Sequence, residues 1–341
     1  MSSLRKLLAH QLKSNNKPKL NHGGFTLIEL LVAMIVAVLI IAPLLRFMIT
    51  IVDTDRKEQA KATSEQEIQA AMDYIARDLE QAVYIYDNSG VERDHKEKDA
   101  NNSGIQNQIP PVAAAPGCDK ANTCKPVLVF WKRKYFDRED KVKVNDKNIE
   151  IRELTNGNDT FVYALVAYYL ISDENPTWSN IARIGRFEIH DKVTSENDNI
   201  DDSEPSPGFK AFNLNNPGSK LKQKLNQWTK EGDYKTQVQI LVDYIDNTDN
   251  TATGITPDCP SVFPKSDDKD DLQVPKDIKD IKGGFYACVD ADKRIAQLFL
   301  RGNALARLKN NPKDYEYKPE RSSYFPTVTM QIEGRGFLNT K

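Results

Sequence analysis

The sequence predicts an α+β fold, in which one long N-terminal helix packs on an antiparallel β-sheet with long loops. Three observations lead to this prediction. Residues 25–45 are almost entirely apolar. Apolar residues then recur at spacings of three and four as far as residue 83, which is the pattern of one helical face. From residue 127 onward, segments rich in β-branched and aromatic residues alternate with polar loops.

The apolar segment is long enough to cross a lipid bilayer, because about 20 apolar residues span the hydrocarbon core. We therefore expect residues 25–45 to be the transmembrane half of the helix. One acid, Glu29, lies near the start of this segment, and a carboxylate at that depth is costly unless another group pairs with it. Pro43 also falls inside the segment, which predicts a kink or an opened helical turn.

Residues 46–86 are predicted to be the amphipathic half of the same helix. The apolar positions of this half form one stripe, with charged residues between them. We expect the stripe to pack on a globular body; its members are Ile68, Met72, Ile75, Leu79 and Val83.

A short motif precedes and opens the apolar segment: Gly23-Gly24-Phe25-Thr26-Leu27-Ile28-Glu29. This motif resembles the processing site of type IV pilins and of the pseudopilins of type II secretion. The resemblance implies that a prepilin peptidase removes a leader of residues 1–24 by cutting after Gly24, and then methylates Phe25. It also implies that Glu29 pairs with the N-terminal ammonium of a neighbouring subunit. The implied partners are prepilin peptidase, other pilins or pseudopilins, an inner-membrane assembly platform and membrane lipid.

Two other interpretations of the N-terminal segment remain open. A cleaved signal peptide has a shorter apolar core and a small-x-small cleavage site, whereas this chain passes through Arg46-Phe47-Met48-Ile49 into a helical pattern. A plain signal-anchor leaves Glu29 unexplained. Both are therefore less favoured than a prepilin segment.

The charge distribution predicts the orientation and excludes one class of partner. Residues 1–22 carry five basic residues and no acid, which favours a cytoplasmic N-terminus and a periplasmic body after a single membrane pass. We expect the inner membrane first, and then a pilus or pseudopilus, as the location of the protein. The whole chain has 47 Lys+Arg and 49 Asp+Glu, so no nucleic-acid partner is expected. The five basic residues are Arg5, Lys6, Lys13, Lys17 and Lys19.

Four cysteines fit an oxidising compartment, where an even number predicts disulfides. Three pairings are open, and proximity in sequence favours Cys118–Cys124 and Cys259–Cys288. A metal site is less favoured, because no CxxC pair is present and the histidines do not cluster near the cysteines.

The body is predicted to consist of a variable loop, residues 87–124, and a β-rich periplasmic pilin head, residues 125–341. Strands are expected at residues 127–131, 161–171, 181–189, 237–245, 284–289, 294–300 and 327–332.

Further segments are similar to particular pilin subfamilies. The late helix around Arg77-Asp78-Leu79, and the strand residues Tyr168–Ile171 and Ile184–Arg186, are similar to J-type minor pseudopilins and W-type minor pilins. The segment 53–67, continuing through Tyr84-Ile85-Tyr86, more closely resembles the C member of the hormogonium polysaccharide secretion pseudopilins. That resemblance implies a minor pseudopilin that supports polysaccharide secretion and gliding motility.

Parts of the sequence also fit other functions. A tip adhesin would bind ligands through the loops 191–235 and 246–283, with Trp178 or Trp228 stacking on sugars. A pseudopilin for protein export is a further alternative.

The acids at 197–204, 243–249 and 267–271 offer oxygen ligands for calcium, but none has EF-hand spacing. No other cofactor is expected. An enzyme is not expected, because the chain lacks a nucleophile elbow, a P-loop, an HExxH and a Rossmann fingerprint.

Overall fold

The computed structural model of this chain describes residues 24–249, 257–267, 269–276 and 283–338. The chain divides into two compact units, Met1–Asp55 and Arg56–Lys341. The first 23 residues of the predicted leader, with its five basic residues, lie outside the described residues. So do parts of two further predictions, the loop 246–283 and the acids 267–271.

One helix, α1, runs through most of both predicted helical segments. It runs from Leu27 to Glu80, a length of 54 residues. In the first unit every described residue of it is exposed. In the second unit the predicted stripe is buried at Ile68, Met72, Ile75 and Leu79, as the spacing of these residues requires.

The helix ends six residues before the predicted end at residue 86. Ala82–Ile85 forms a strand, β1, which pairs antiparallel with the next long strand. Val83 is buried, but on this strand and not on the helix. The four-residue spacing from Leu79 suggested helix, whereas the alternating Val83-Tyr84-Ile85-Tyr86 is typical of a strand. The sheet-bearing body therefore includes residues that the sequence placed in the helix.

Two larger antiparallel sheets and one hairpin make up the β structure that is described. The first sheet has five strands in the order β1-β2-β5-β6-β7, and the second has four in the order β11-β10-β9-β8. The hairpin is β3-β4. The strands are β2 Cys124–Phe136, β3 Lys141–Val144, β4 Lys147–Glu150, β5 Thr160–Ile171, β6 Ala182–His190, β7 Gln239–Ile245, β8 Gln273–Val274, β9 Phe285–Asp290, β10 Ile295–Arg301 and β11 Thr327–Glu333.

Short helices occupy the connections between the strands. These α-helices are α2 Asn88–Glu92, α3 Ile151–Leu154, α4 Leu221–Leu225, α5 Cys259–Val262 and α6 Pro312–Tyr315. The 3₁₀ helices are Gln106–Gln108, Lys269–Asp271, Leu305–Arg307 and Pro319–Tyr324. The fold is α+β with antiparallel sheets, as predicted, although the sequence analysis expected one sheet.

The five-stranded sheet is covered on both faces. Side chains of α1 pack on one face and share one hydrophobic core with the strands. On the other face, Trp131 of β2 contacts the rings of Phe209, Phe212 and Trp228 at centroid distances of 5.8, 5.0 and 5.6 Å. Because successive strand residues point to opposite faces, β2 places Trp131 in this aromatic cluster and Lys132 toward α1.

The two larger sheets meet where β7 ends. Ile245 forms an isolated bridge with Gly302, and the Asp246 N–H donates to the Arg301 carbonyl at 3.0 Å. The predicted hairpin around residues 290–292 forms β9 and β10, and the predicted last strand forms β11. The second sheet is thus joined to the end of the first.

Both disulfides that proximity in sequence favours are formed. The disulfide Cys118–Cys124 links two residues that are 6 positions apart in the sequence, at the start of β2. The disulfide Cys259–Cys288 links two residues that are 29 positions apart in the sequence and joins α5 to β9. All four cysteines are therefore paired.

Candidate processing and assembly site

The segment Gly24-Phe25-Thr26 is non-helical and fully exposed at the start of α1. The Phe25 side chain is 85% exposed. A Cβ atom added to Gly24 would meet no other atom within 4 Å, so packing within the chain does not require glycine there.

Thr26 and Glu29 form a reciprocal cap at the beginning of α1. The Glu29 carboxylate accepts hydrogen bonds from the Thr26 N–H at 3.0 Å and from the Thr26 hydroxyl at 2.9 Å. The Glu29 N–H donates to the Thr26 hydroxyl at 3.4 Å. This is the geometry of a capping box, which satisfies N–H groups that the first helical turn leaves free. Glu29 thus has a local structural role that the sequence analysis did not identify.

The first part of α1 exposes a continuous apolar surface. Its most apolar window of 18 residues has a mean hydropathy of 2.9 and contains no buried residue. Among the described residues this is the one helix that is long and apolar enough to cross a membrane. The core helix of a soluble protein would bury such a surface, so this segment needs lipid or another protein around it.

Two threonine hydroxyls just beyond the apolar segment of α1 donate to the helix backbone. The Thr50 hydroxyl donates to the Arg46 carbonyl at 2.9 Å, and the Thr54 hydroxyl donates to the Thr50 carbonyl at 2.9 Å. α1 includes Pro43 within its bounds. The kink at Pro43 stays a prediction.

Comparison with known proteins identifies the N-terminal segment. Residues 19–45 match the family described as "Prokaryotic N-terminal methylation motif". The chain carries a prepilin-type methylation motif. This motif supports a place in the pilin and pseudopilin superfamily, with processing by prepilin peptidase and assembly with other pilins. The match covers the leader junction and the start of α1, and does not extend into the body. No curated protein and no solved structure matches the chain.

The methylation motif fits the geometry described above. It spans the exposed Gly24–Phe25 bond, the capping residue Glu29 and the apolar helix that contains Pro43. A membrane-anchored pilin has this arrangement of an accessible junction followed by one apolar helix. The residues named for cleavage, methylation and assembly thus lie within a single stretch of the chain.

In the body, a buried charged cluster joins α1 to the five-stranded sheet. The Asp78 carboxylate accepts from Lys132 Nζ at 2.6 Å, from Arg186 Nε at 2.9 Å and from the Tyr168 hydroxyl at 2.7 Å. Glu188 completes the cluster, pairing with Lys132 at 3.0 Å and also with Arg186. The structure therefore brings together Asp78, Tyr168 and Arg186, which the sequence analysis named from resemblance alone.

The remaining members of this cluster were not predicted from the sequence. Lys132 lies in β2, and its charge falls directly after the apolar run 127–131 that was predicted as a strand. Lys134 pairs with Glu188 at 2.8 Å from the same strand. Lys132 and Lys134 are two residues apart, which places both side chains on the same face of a strand. Extending the predicted strand past residue 131 would have shown this pattern.

The predicted ligand-binding residues have different environments. Trp228 is buried, and its indole N–H donates to the Lys210 carbonyl at 2.7 Å, which is the arrangement of a packing residue. Trp178 is 39% exposed and lines a cavity.

Several of the acids considered for calcium have protein partners, such as Asp202 with Lys192 at 2.7 Å and Asp271 with Arg93 at 3.3 Å. The described residues contain no group of three or more His, Cys, Asp or Glu side chains suited to a metal ion.

Proposed function

We propose that this chain is a minor pseudopilin, a structural subunit of a type IV pilus-like or type II secretion-like machine. The methylation motif, which continues directly into the exposed apolar part of α1, carries this proposal. The peptidase cuts after Gly24 and methylates Phe25. The apolar helix then holds the subunit in the inner membrane until it enters the assembly.

We place the N-terminus in the cytoplasm and the body in the periplasm. The five basic residues of the leader favour this orientation. The two disulfides agree with it, because disulfides persist in the periplasm and are rare in the cytosol.

In the assembly, Glu29 pairs with the N-terminal ammonium of a neighbouring subunit. The carboxylate lies in the first turn of an apolar helix, close to Phe25. Burying it between apolar helices without a partner would cost about 3–5 kcal/mol. The pair would offset that cost and fix the axial register of two neighbouring helices.

The exported material is proposed to be a polysaccharide used in gliding motility. This step rests on the resemblance of residues 53–67 and 84–86 to the hormogonium polysaccharide secretion pseudopilins. A large body also suits a minor subunit, because a body of this size would crowd a repeating filament. The alternative is a minor pseudopilin that serves protein export.

Replacement of Gly24 tests the processing step. In cells that contain prepilin peptidase, Gly24→Trp should leave an uncut precursor in the membrane fraction, visible on immunoblots at the size found without peptidase. Steric exclusion of the indole at the cut is the physical reason. Ala62→Trp, at an exposed position of α1 far from the junction, should be cut like the wild type. Normal cleavage of Gly24→Trp would contradict the proposal.

A further inference from the structure

The outer edge of β7 is open over a short stretch. β7 is the last strand in the order of the five-stranded sheet, so no described strand lies beyond it. Just before the strand, the Val238 N–H donates to the Pro116 carbonyl at 2.8 Å; near its end, the Asn303 N–H donates to the Tyr244 carbonyl at 2.9 Å. Within the described part of the chain, residues 239–243 make no backbone hydrogen bond apart from their pairing with β6. This leaves about 16 Å of unpaired strand edge at about 3.3 Å per residue.

A cavity of about 740 Å³ runs along this open edge. Five consecutive strand residues, 240–244, line it. A ligand on one face of a strand would meet only alternate residues, so lining by consecutive residues indicates that the cavity follows the edge. The opposite wall is a stripe of α1 with two small residues, formed by Glu67, Ala70, Ala71 and Tyr74. We call this cavity the β7 groove.

Hydrogen bonds hold one end of the β7 groove. The Ser179 N–H and hydroxyl donate to the Asp243 carboxylate at 2.8 and 2.6 Å. This fixes the loop that carries Trp178, whose indole is partly exposed at the groove. The aromatic wall is therefore in place before any ligand binds.

Arg307 holds the same end of the β7 groove, at the next residue, Tyr244. Its guanidinium lies 4.1 Å from the ring centroid of Tyr244 and donates to the Ser64 hydroxyl at 3.1 Å. It also pairs with Glu67 of α1. Specific contacts thus join α1, β7 and the turn 305–307 at the groove.

We propose that the β7 groove binds one extended segment of a neighbouring pilin-type subunit, which adds as a strand to the edge of β7. The open backbone groups of residues 239–243 would pair with that segment. Its alternate apolar side chains would lie against Ala70 and the partly exposed ring of Tyr74. Two carboxylates, Glu67 and Asp243, outnumber the one cation, Arg307, so a Lys or Arg in the segment is favoured. This inference rests on the proposed function, because the partner is a subunit of the same assembly.

The same observations argue against a sugar as the occupant. Aromatic rings suit a sugar, but sugar hydroxyls also need free polar side chains. Asp243 already accepts from Ser179, and Arg307 already donates to Glu67 and Ser64. The backbone edge of residues 239–243 remains open within the described part of the chain, and an extended peptide is the ligand that pairs with a strand edge.

Filling the groove tests the proposal. Ala70 is an exposed helical residue in the groove wall, so Ala70→Trp should block the groove without disturbing the core. Gln66→Trp adds the same ring at an exposed position of α1 that does not line the groove. The full-length chain in detergent is titrated with each of the other full-length pilin-type subunits of the same organism. Hydrogen exchange at residues 239–243 is measured with and without each subunit.

We expect one of these subunits to bind and to slow amide exchange in residues 239–243 at least tenfold. Ala70→Trp should weaken that binding at least tenfold, whereas Gln66→Trp should leave it unchanged. No binding by any subunit, unchanged exchange in residues 239–243, or binding to a second copy of this chain only, would overturn the proposal. Binding that Ala70→Trp does not weaken would also overturn it.

Two controls separate this inference from the proposed function. Peptidase cleavage and membrane insertion of Ala70→Trp should match the wild type, because the groove lies in the body. If the wild-type chain is never cut, the proposed function fails whatever the groove binds. If cleavage is normal and the groove results are negative, only the strand-addition proposal fails.

Discussion

Asp78 binds α1 to the five-stranded sheet through charge. Its side chain is only 6% exposed and is surrounded by Lys132, Arg186 and Tyr168 from three different strands. Burial and the Asp78 charge together raise the pKa of Tyr168, which keeps this phenol protonated as a donor. Each strand thus supplies one donor to a single carboxylate, and the position of the helix on the sheet is specified by three directed contacts.

Removal of the Asp78 carboxylate should destabilise the body. Asp78→Ala leaves two cations buried with only Glu188 to balance them, so we expect a loss of about 3 kcal/mol in the free energy of unfolding. Guanidinium unfolding of the full chain in detergent, followed by tryptophan fluorescence, measures this loss. Glu58→Ala removes an acid from the same helix whose ion pair with Lys61 is exposed, and should cause no measurable loss. Equal effects of both variants would contradict the role of Asp78.

Glu29 caps α1, and its proposed pairing with a neighbouring subunit can be separated from the cap by different substitutions. Glu29→Ala removes both the acceptor that caps the helix with Thr26 and the negative charge. Glu29→Gln keeps an oxygen acceptor for the cap and removes only the charge. We expect normal leader cleavage in both variants and reduced co-purification with other pilins in both. Reduced co-purification of Glu29→Ala together with normal co-purification of Glu29→Gln would show that capping, and not charge pairing, is what assembly requires.

At the scale of the element, β6 concentrates titratable groups on one face. Arg186, Glu188 and His190 occupy alternate positions of the strand. Burial alone would raise the pKa of Glu188, but Arg186 and the lysines Lys132 and Lys134 lower it well below its usual value. Burial and the charge of Lys134 lower the pKa of His190. The strand therefore favours an ionised Glu188 and a neutral His190.

These shifts predict how stability depends on pH. The unfolded chain takes up a proton on His190 near pH 6.5, before the folded chain does, so the free energy of unfolding should fall as the pH drops from 7 to 5. Glu188 contributes stability that is present above its usual pKa near 4.5 and is lost as the pH falls below that value. Unfolding of wild type and His190→Gln at a series of pH values checks this. The variant should lose less stability between pH 7 and 5, and both proteins should behave alike between pH 8 and 7. Equal losses in the two proteins between pH 7 and 5 would contradict the role of His190.

At the scale of the whole molecule, each larger sheet carries its own disulfide. Cys118–Cys124 lies at the start of β2 in the first sheet. Cys259–Cys288 fastens α5 to β9 of the second sheet, beside the buried residues Phe263 and Leu272. The second bond closes the longer stretch of chain and so removes more conformational freedom from the unfolded state.

Removal of the two disulfides should have unequal effects. Replacing both Cys118 and Cys124 with alanine should cost about 2 kcal/mol, and replacing both Cys259 and Cys288 about 3.5 kcal/mol, from the lengths of the loops that they close. Urea unfolding of the two double variants under oxidising conditions measures the difference. Wild-type protein that has been reduced and alkylated should lose stability as well. A larger loss from the 118/124 variant would show that loop length does not decide the effect.

The sequence by itself determined those features that depend on short spacings. These are the methylation motif that includes Gly24 and Phe25, the apolar length of the first part of α1 and the buried stripe from Ile68 to Leu79. Short spacings also led to one wrong prediction, because Val83 fits the helical spacing but lies in β1. One short-range signal was not used: the hairpin turn at Asn145-Asp146, where both φ angles are positive, indicates the pair β3 and β4.

Only the tertiary structure decided which distant residues meet. Lys132 and Arg186 lie 54 and 108 residues from Asp78 in sequence, and no periodic pattern links such positions. The order of the strands brings them together, and the same order leaves β7 at an edge beside α1. Strand order follows from the packing of the whole core, because burying the apolar faces of the helix and both sheets at once selects one arrangement among many that the local patterns allow.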